Sequence, residues 1–234
     1  MSPRNLLARM GNNAPVGRIL GTPVPMLMPI DGPAYVLVLG EAPGPRGADK
    51  SGFPFFGDGA GRHLYTVFER IGAATLPAGV ANVDWDGAKL TAEGFFPTVH
   101  GVALTNAYDR CPTDDGSSFR APVRTELESA ANFSRLLRDL THLKANGLKG
   151  VVTLGRVATR TMDVFFKKHP MPELVRRSLP HPSAQGLLSM APNRGKGAKM
   201  SDLQEAWMVR CQFTLLQAGY PVPPGMKTVP DVSA

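Results

Sequence analysis

Apolar positions along this chain follow two rhythms. Largely apolar runs at residues 35–39, 99–104 and 150–155, with His100 and Thr153 among them and glycine or proline nearby, predict strands buried on both faces. Elsewhere the apolar residues recur every three or four positions. Leu64, Val67, Phe68 and Ile71 predict a helix over 62–71, and Leu127, Phe133, Leu136, Leu140 and Leu143 mark one over 125–143. Val157, Met162, Phe165 and Phe166 belong to a helix over 156–166. Ser201 is placed to cap a last helix reaching Leu216, with Leu203, Trp207, Cys211 and Leu215 as its apolar stripe. A short helix fits 88–93. The repeated strand–helix–strand order predicts an α/β chain: a single three-layer domain with an open, mostly parallel central sheet flanked by helices.

Punctuation divides the chain. Residues 1–32 read as a lead-in: Arg4 to Met10 have helical spacing, but Gly21, Pro23 and Pro25 forbid a long helix. This segment is expected to wrap the surface of a domain spanning 33–219. Its arginines, Arg4, Arg9 and Arg18, are too scattered to form a nucleic-acid arm. Residues 72–96 make a long excursion broken by Pro77, Gly79, Gly87 and Gly94, and the proline-rich tail, 220–234, should be extended or frayed.

Composition narrows the class. Hydrophobic content of 43% is ordinary for a water-soluble domain, and no stretch approaches a membrane-spanning length. The start lacks the compact apolar core of a secretion signal, so the cytoplasm is the expected compartment. A net charge of +7 favours an anionic partner without naming one. Cys111 and Cys211 are the only cysteines, too few for a disulfide framework or an all-cysteine metal site, and the histidines show no metal-ligand spacing with them. No metal and no cofactor is expected.

Each apolar run ends in polar or glycine-rich residues. The first leads into Gly40, Glu41, Ala42, Pro43 and Gly44, the second into Thr105, Asn106 and Arg110-Cys111-Pro112. A fourth landmark, residues 178–186, holds His181 between Pro180 and Pro182, outside regular structure. In open α/β sheets the crevice at the carboxyl ends of the strands is where ligands bind.

These motifs resemble the uracil-DNA glycosylase superfamily. Gly40 to Gly44 reads GEAPG; Gly52-Phe53-Pro54-Phe55-Phe56-Gly57 and Ala60-Gly61 follow as in its iron–sulfur branch. Thr105-Asn106 resembles the second family motif and His181-Pro182-Ser183 the third. Gly57 to Gly61 is one residue longer and looks more like the branch with a broad range of damaged bases. The iron–sulfur branch holds its cluster with four cysteines, and this chain departs from it. Cys111 is then a packing residue.

The resemblance implies hydrolysis of the bond between uracil and deoxyribose in DNA, leaving an abasic site. Phe55 matches the stacking phenylalanine, and Gly40, Ala42 and Pro43 flank the base. Asn106 reads the uracil edge. His181 donates to the carbonyl oxygen that gains charge. Glu41 orients or deprotonates water, or stabilises the sugar cation, with Asp49 and Asp58 as rival carboxylates in the same loop. Uracil-containing DNA is the implied partner of a monomer. Ser183, Gln185, Arg194, Lys196 and Lys199 would meet the backbone, and Leu187 or Leu188 would fill the space of the flipped base. Two other readings stay open. One is a superfamily member acting on other deaminated bases or forming a covalent adduct through the third-motif histidine. The other is a non-catalytic DNA- or nucleotide-binding module, although the loop is neither a Walker A nor a dinucleotide motif.

Overall fold

Strand β1, Val36–Gly40, is buried along its whole length, and its side chains part to two sides. Val36 and Val38 join one apolar cluster with Val102, Leu104, Val152 and Leu154; Leu37 and Leu39 join another with Ala103 and Val151. Successive strand side chains point to opposite faces, so a strand apolar at every position needs a layer on each side. The computed structural model, which describes residues 18–80 and 84–222 apart from the side chains at 193 and 194, supplies both layers.

After β1 come α1 (Ala48–Ser51), α2 (Gly59–Arg70), β2 (Ala74–Thr75), α3 (Gly87–Ala92), β3 (Thr98–Val99) and β4 (Val102–Asn106). Then follow α4 (Arg124–Leu127), α5 (Ala130–Ala145), β5 (Gly150–Leu154), α6 (Arg156–Lys168), β6 (Val175–Leu179), α7 (Ala184–Leu188), a 3-10 turn at Pro192–Gly195 and α8 (Met200–Gln217). The main sheet is parallel throughout, in the order β4-β1-β5-β6. Leu64, Val67 and Phe68 of α2 and Trp207, Cys211 and Leu215 of α8 pack on one face. Phe133, Leu136 and Leu140 of α5 and Met162 and Phe165 of α6 pack on the other. The expected three-layer α/β domain is what forms.

Several boundaries differ from the sequence reading, each for a local reason. The apolar run at 99–104 breaks at Gly101, whose φ of 68° turns the chain. The residues before it pair antiparallel with β2, and those after it join the main sheet. The helix expected over 125–143 is two, because the Ser129 side chain accepts from the Asn132 N–H and starts α5 afresh. Helix α2 begins at Gly59, where Asp58 caps it through the N–H groups of Ala60 and Gly61. Ser201 caps nothing: α8 already runs from Met200, and the Ser201 hydroxyl bonds Asp202.

Besides the short α1 and β2, strand β6 and helix α7 were not anticipated. Strand β6 carries exposed Arg176, Arg177 and Ser178 on the open edge of the sheet, where charge discourages pairing with another chain. Helix α7 takes up part of what reads as loop after His181, capped by Ser183. Tyr220 is not frayed; it is buried, with its hydroxyl at hydrogen-bond distance from the His100 and Ile71 carbonyls. The helical turn expected at Arg4 to Met10 and the tail beyond 222 lie outside the described residues. Of the lead-in, Val24 donates to Asp109, Leu27 bridges Leu104, and Ile30 donates to Val99, so the segment covers the outer edge of β4.

The loop after β1 is fixed by close backbone packing. Phe55 adopts a left-handed φ of 57°, costly for a residue with a side chain. Gly61, inside α2, lies against the Phe55 carbonyl so closely that a Cβ there would overlap it, whereas a Cβ on Gly59 would meet nothing. Gly61→Ala should therefore destabilise the fold by about 1–3 kcal/mol, seen as a fall in Tm of about 2–12 °C at roughly 2–4 °C per kcal/mol. Gly59→Ala, at the same end of the same helix, should leave Tm unchanged or raise it. Equal effects in calorimetry would refute this account of the loop.

Candidate active site

The sheet register places two of the sequence-predicted residues side by side. Gly40, last in β1, pairs with Asn106, last in β4. Pairing then continues past both strands: the Ala107 N–H donates to Gly40 O at 2.8 Å and the Tyr108 N–H to Glu41 O at 2.9 Å. A Cβ built on Gly40 would lie 2.6 Å from the Phe55 ring and 2.7 Å from the Asn106 amide oxygen. Only glycine leaves room for both groups at this strand end. Phe56, by contrast, joins the aromatic cluster of Phe53, Tyr65 and Phe96. Asn106 as a residue is only 3% exposed; its side-chain amide bonds no described residue but keeps some accessible surface, while its main-chain carbonyl is held by Arg135. The amide therefore has its donor and acceptor free for a ligand.

Beside this cluster opens a cleft of about 870 Å³ lined by Glu41, Ala42, Pro43 and His181, with Ser183 and Gln185 at its margin. Gly40, Phe55 and Asn106 do not line it; they sit one residue behind Glu41. His181 reaches the cleft two residues beyond β6, pressed against Gly155 at the end of β5, where a Cβ would lie 3.2 Å from its own. The indole of Trp207 in α8 donates to Pro180 O at 2.9 Å and pins the loop from behind. Gly186 packs on the His181 carbonyl with no room for a side chain.

The electrostatics of these two groups differ in sign. Burial raises the Glu41 pKa above its ordinary 4.5. Burial lowers that of His181 below 6.5, opposed by the negative charge of Asp58. The Ser183 N–H donates to His181 Nδ1 at 3.2 Å, so the neutral ring carries its proton on Nε2. Near neutral pH the histidine is an uncharged donor.

The rival carboxylates separate. Asp49 is completely buried, paired with Arg18 at 3.2 Å and accepting from the Gly21 N–H at 2.9 Å. It ties the lead-in to the loop and is unavailable to water. Asp58 uses Oδ1 as the α2 cap, while Oδ2 lies toward Gly44 and Gly47. Its field reaches His181.

The residues expected to meet DNA fare unequally. Leu187 is 1% exposed within the core beside Trp207, so it cannot leave to fill a duplex without opening a cavity. Leu188 is half-buried and packs against Gly195. Ser183 caps α7 through a 3.4 Å bond from the Gly186 N–H, in addition to lining the cleft with Gln185. Lys196 and Lys199 are exposed ahead of α8; the Arg194 side chain lies outside the described set. Arg62, a cation in the first turn of α2, is committed to Asp84 and Asp86.

Sequence reasoning missed four arginines that line the cleft: Arg120, Arg124, Arg156 and Arg160. Glu126 holds Arg120 through two bonds of 2.8 Å, and Glu128 holds Arg124 at 2.7 Å. Arg156 and Arg160 have no acidic partner among the described residues. They lie one turn apart at the start of α6, whose first turn contains no acidic residue. In the sequence they look like the solvated face of an amphipathic helix, and only β6 and the His181 loop reveal what they face.

An iron–sulfur cluster does not fit this donor set. Cys111 and Cys211 are both buried, one after β4 and the other in α8, and no group of described residues is arranged to hold a metal ion. No helix among them is long and apolar enough to cross a membrane.

Comparison with known proteins agrees with this arrangement. The profile of the uracil DNA glycosylase superfamily matches residues 29–205, the span that contains every strand of the main sheet and the whole cleft. A type-5 uracil-DNA glycosylase of Thermus thermophilus is 26% identical over 136 residues, which cover 58% of this chain and 52% of that protein. The aligned stretch thus spans about half the length of that relative. On the extent of the profile match, with Glu41, Asn106 and His181 all at carboxyl ends of parallel strands, the chain belongs to the uracil-DNA glycosylase superfamily.

Proposed function

We propose that the protein is a DNA glycosylase that hydrolyses the N-glycosidic bond of deoxyuridine in DNA, releasing uracil and leaving an abasic site, the first step of base excision repair. One observation carries the reading: a neutral histidine whose free ring proton is on Nε2 shares a cleft with a carboxylate, next to an unpartnered buried amide. Such a cleft can take a base only after the nucleotide swings out of its strand. Phe55 supplies an apolar face for the ring, with Gly40, Ala42 and Pro43 at its edge, and the Asn106 amide pairs with the uracil edge.

As the bond breaks, the electron pair moves into the pyrimidine, and negative charge gathers on a carbonyl oxygen. His181 Nε2–H stabilises that charge best when the oxygen is most negative, in the transition state. Glu41 faces the opposite charge, the cationic sugar. It also orients the water whose hydroxyl bonds to the sugar carbon, while the water's proton ends on uracil. Asp58 is the second carboxylate within reach of this chemistry.

For the DNA strand, Arg156 and Arg160 are the cations we place on its phosphates, with Arg120 and Arg124 across the cleft, Ser183 and Gln185 between, and Leu188 as the remaining wedge. Two arginines at i and i+4 on a helix N-terminus oppose each other and the helix dipole. A bound phosphate turns both repulsions into attraction. Lys196 and Lys199 extend the track.

Three outcomes follow. In single-turnover release of uracil at saturating enzyme, His181→Ala should lose on the order of 10²–10³ in rate and Glu41→Gln on the order of 10², while both bind DNA normally. A Glu41→Gln enzyme as fast as wild type would transfer the water to Asp58. Asn106→Asp should weaken uracil release more than DNA binding, because the amide donor is gone.

The rate should also depend on pH in one direction. Glu41 must be ionised and its pKa is raised above 4.5; His181 must be neutral and its pKa is lowered below 6.5. Activity is therefore retained at neutral pH and above and lost as the pH falls, through protonation of Glu41 above its ordinary 4.5 and of His181 below its ordinary 6.5. A rate that climbs as the pH falls below 6.5 would contradict a neutral histidine.

Finally, removing Arg156 and Arg160 together by alanine substitution should lower the slope of log affinity against log salt by about 1.8 on duplex DNA, roughly 0.9 for each phosphate no longer neutralised. An unchanged slope would take α6 off the DNA path.

A further inference from the structure

Arg135 lies on α5, on the same face of the sheet as α6, and does not line the cleft; its side chain is only 15% exposed. Its Nη2 donates to the main-chain carbonyls of Asn106 and Ala107, each at 3.0 Å. Asn132, one turn earlier, gives the Ala107 carbonyl a second donor at 2.8 Å and accepts from Arg135 at 3.0 Å. Asp139 takes the other end of the guanidinium at 3.2 Å, with Asp109 at 4.0 Å. The planar guanidinium thus ties the two carbonyls, through Nη2, to Asp139, through Nη1, in one fixed geometry.

Such a cation is out of proportion to a strand end. Carbonyls that leave a sheet are usually met by a turn or by water, and burying a guanidinium for them carries a desolvation cost. These two carbonyls, however, belong to the peptides on either side of Ala107, whose own N–H bonds Gly40, and Tyr108 next to it bonds Glu41. The backbone Arg135 grips is therefore the one that carries the Asn106 amide and braces the Glu41 backbone.

We propose that Arg135 is a positioning residue for base recognition: by clamping the Asn106 and Ala107 carbonyls from α5, it sets the angle at which the Asn106 amide meets the base. It touches no substrate. Its action rests on the glycosylase reading for its consequence, but not for its geometry.

The geometry can be tested without catalysis. In wild type and in Arg135→Lys, the Asn106 side-chain amide signals would be followed by nitrogen–proton correlation spectroscopy, assigned by their loss in Asn106→Ala. Lysine keeps the charge, but its one ammonium cannot occupy both the Nη2 position at the two carbonyls and the Nη1 position at Asp139, so the clamp loses one of its ends. The amide signals should move or broaden, and single-turnover uracil release should fall about tenfold, as for a misplaced group. Combining Arg135→Lys with Asn106→Ala should cost less than about threefold beyond Asn106→Ala alone, because two changes acting through one group do not multiply. Asp139→Asn, which loosens the other end of the clamp, should shift the same signals to a lesser extent. Unmoved amide signals in Arg135→Lys, or losses that multiply in the double variant, would overturn the proposal. If the wild type releases no uracil, the activity falls, and the amide signals alone decide whether Arg135 positions Asn106.

Discussion

Hydrogen bonding between neighbouring strands does not stop where the regular strands do, and the site depends on that overrun. Ala107 and Tyr108 pair with Gly40 and Glu41 beyond the ends of β4 and β1, and the Gly155 N–H bonds Leu179 O beyond β5 and β6. Each bond fixes the direction in which a chain leaves the sheet. Glu41, Asn106 and His181 are one or two residues from such bonds, so their backbone is nearly as constrained as that of a central strand. A parallel sheet offers this only at its edge of carboxyl ends, where all strands finish together.

Close packing of backbone on backbone does the rest. Gly40 admits the Phe55 ring and Asn106 amide, Gly61 admits the Phe55 carbonyl, and Gly186 admits the His181 carbonyl. Between them these glycines hold a phenylalanine in a left-handed conformation and a histidine between two prolines. The stability for this comes from the layers behind: Trp207 both fills the core and holds Pro180.

How much of this was legible in the sequence depended on whether the signal was local. Strands β1, β4 and β5 announce themselves because both faces are covered and most positions are apolar. Strand β6 does not, because an edge strand with Arg176 and Arg177 has no such run. Ser129 hides a helix break, since the apolar period continues across it from Leu127 to Phe133. Leu187 and Leu188 show a sharper limit: an apolar pair in a glycine-rich stretch reads alike whether it folds outward or inward, and Trp207, twenty residues later, decides that Leu187 goes in. The residues Glu41, Asn106 and His181 were visible as motifs. The supports of Asn106, Asn132 and Arg135, were not, because a polar pair on an amphipathic helix looks like a solvent face until β4 is laid against it.

The bond from the Ser183 N–H to His181 also bears on the chemistry open to the ring. An imidazole attacks carbon through a nitrogen lone pair in the plane of the ring. At Nδ1 that lone pair is engaged by the backbone, and at Nε2 its place is taken by a proton. To become a nucleophile toward an opened sugar, the ring would have to surrender the Nε2 proton, and passing it to Nδ1 would set two N–H groups face to face at the start of α7. The turn that presents His181 to the cleft thus disfavours carbon–nitrogen bond formation through the ring, and leaves it suited to donating a hydrogen bond.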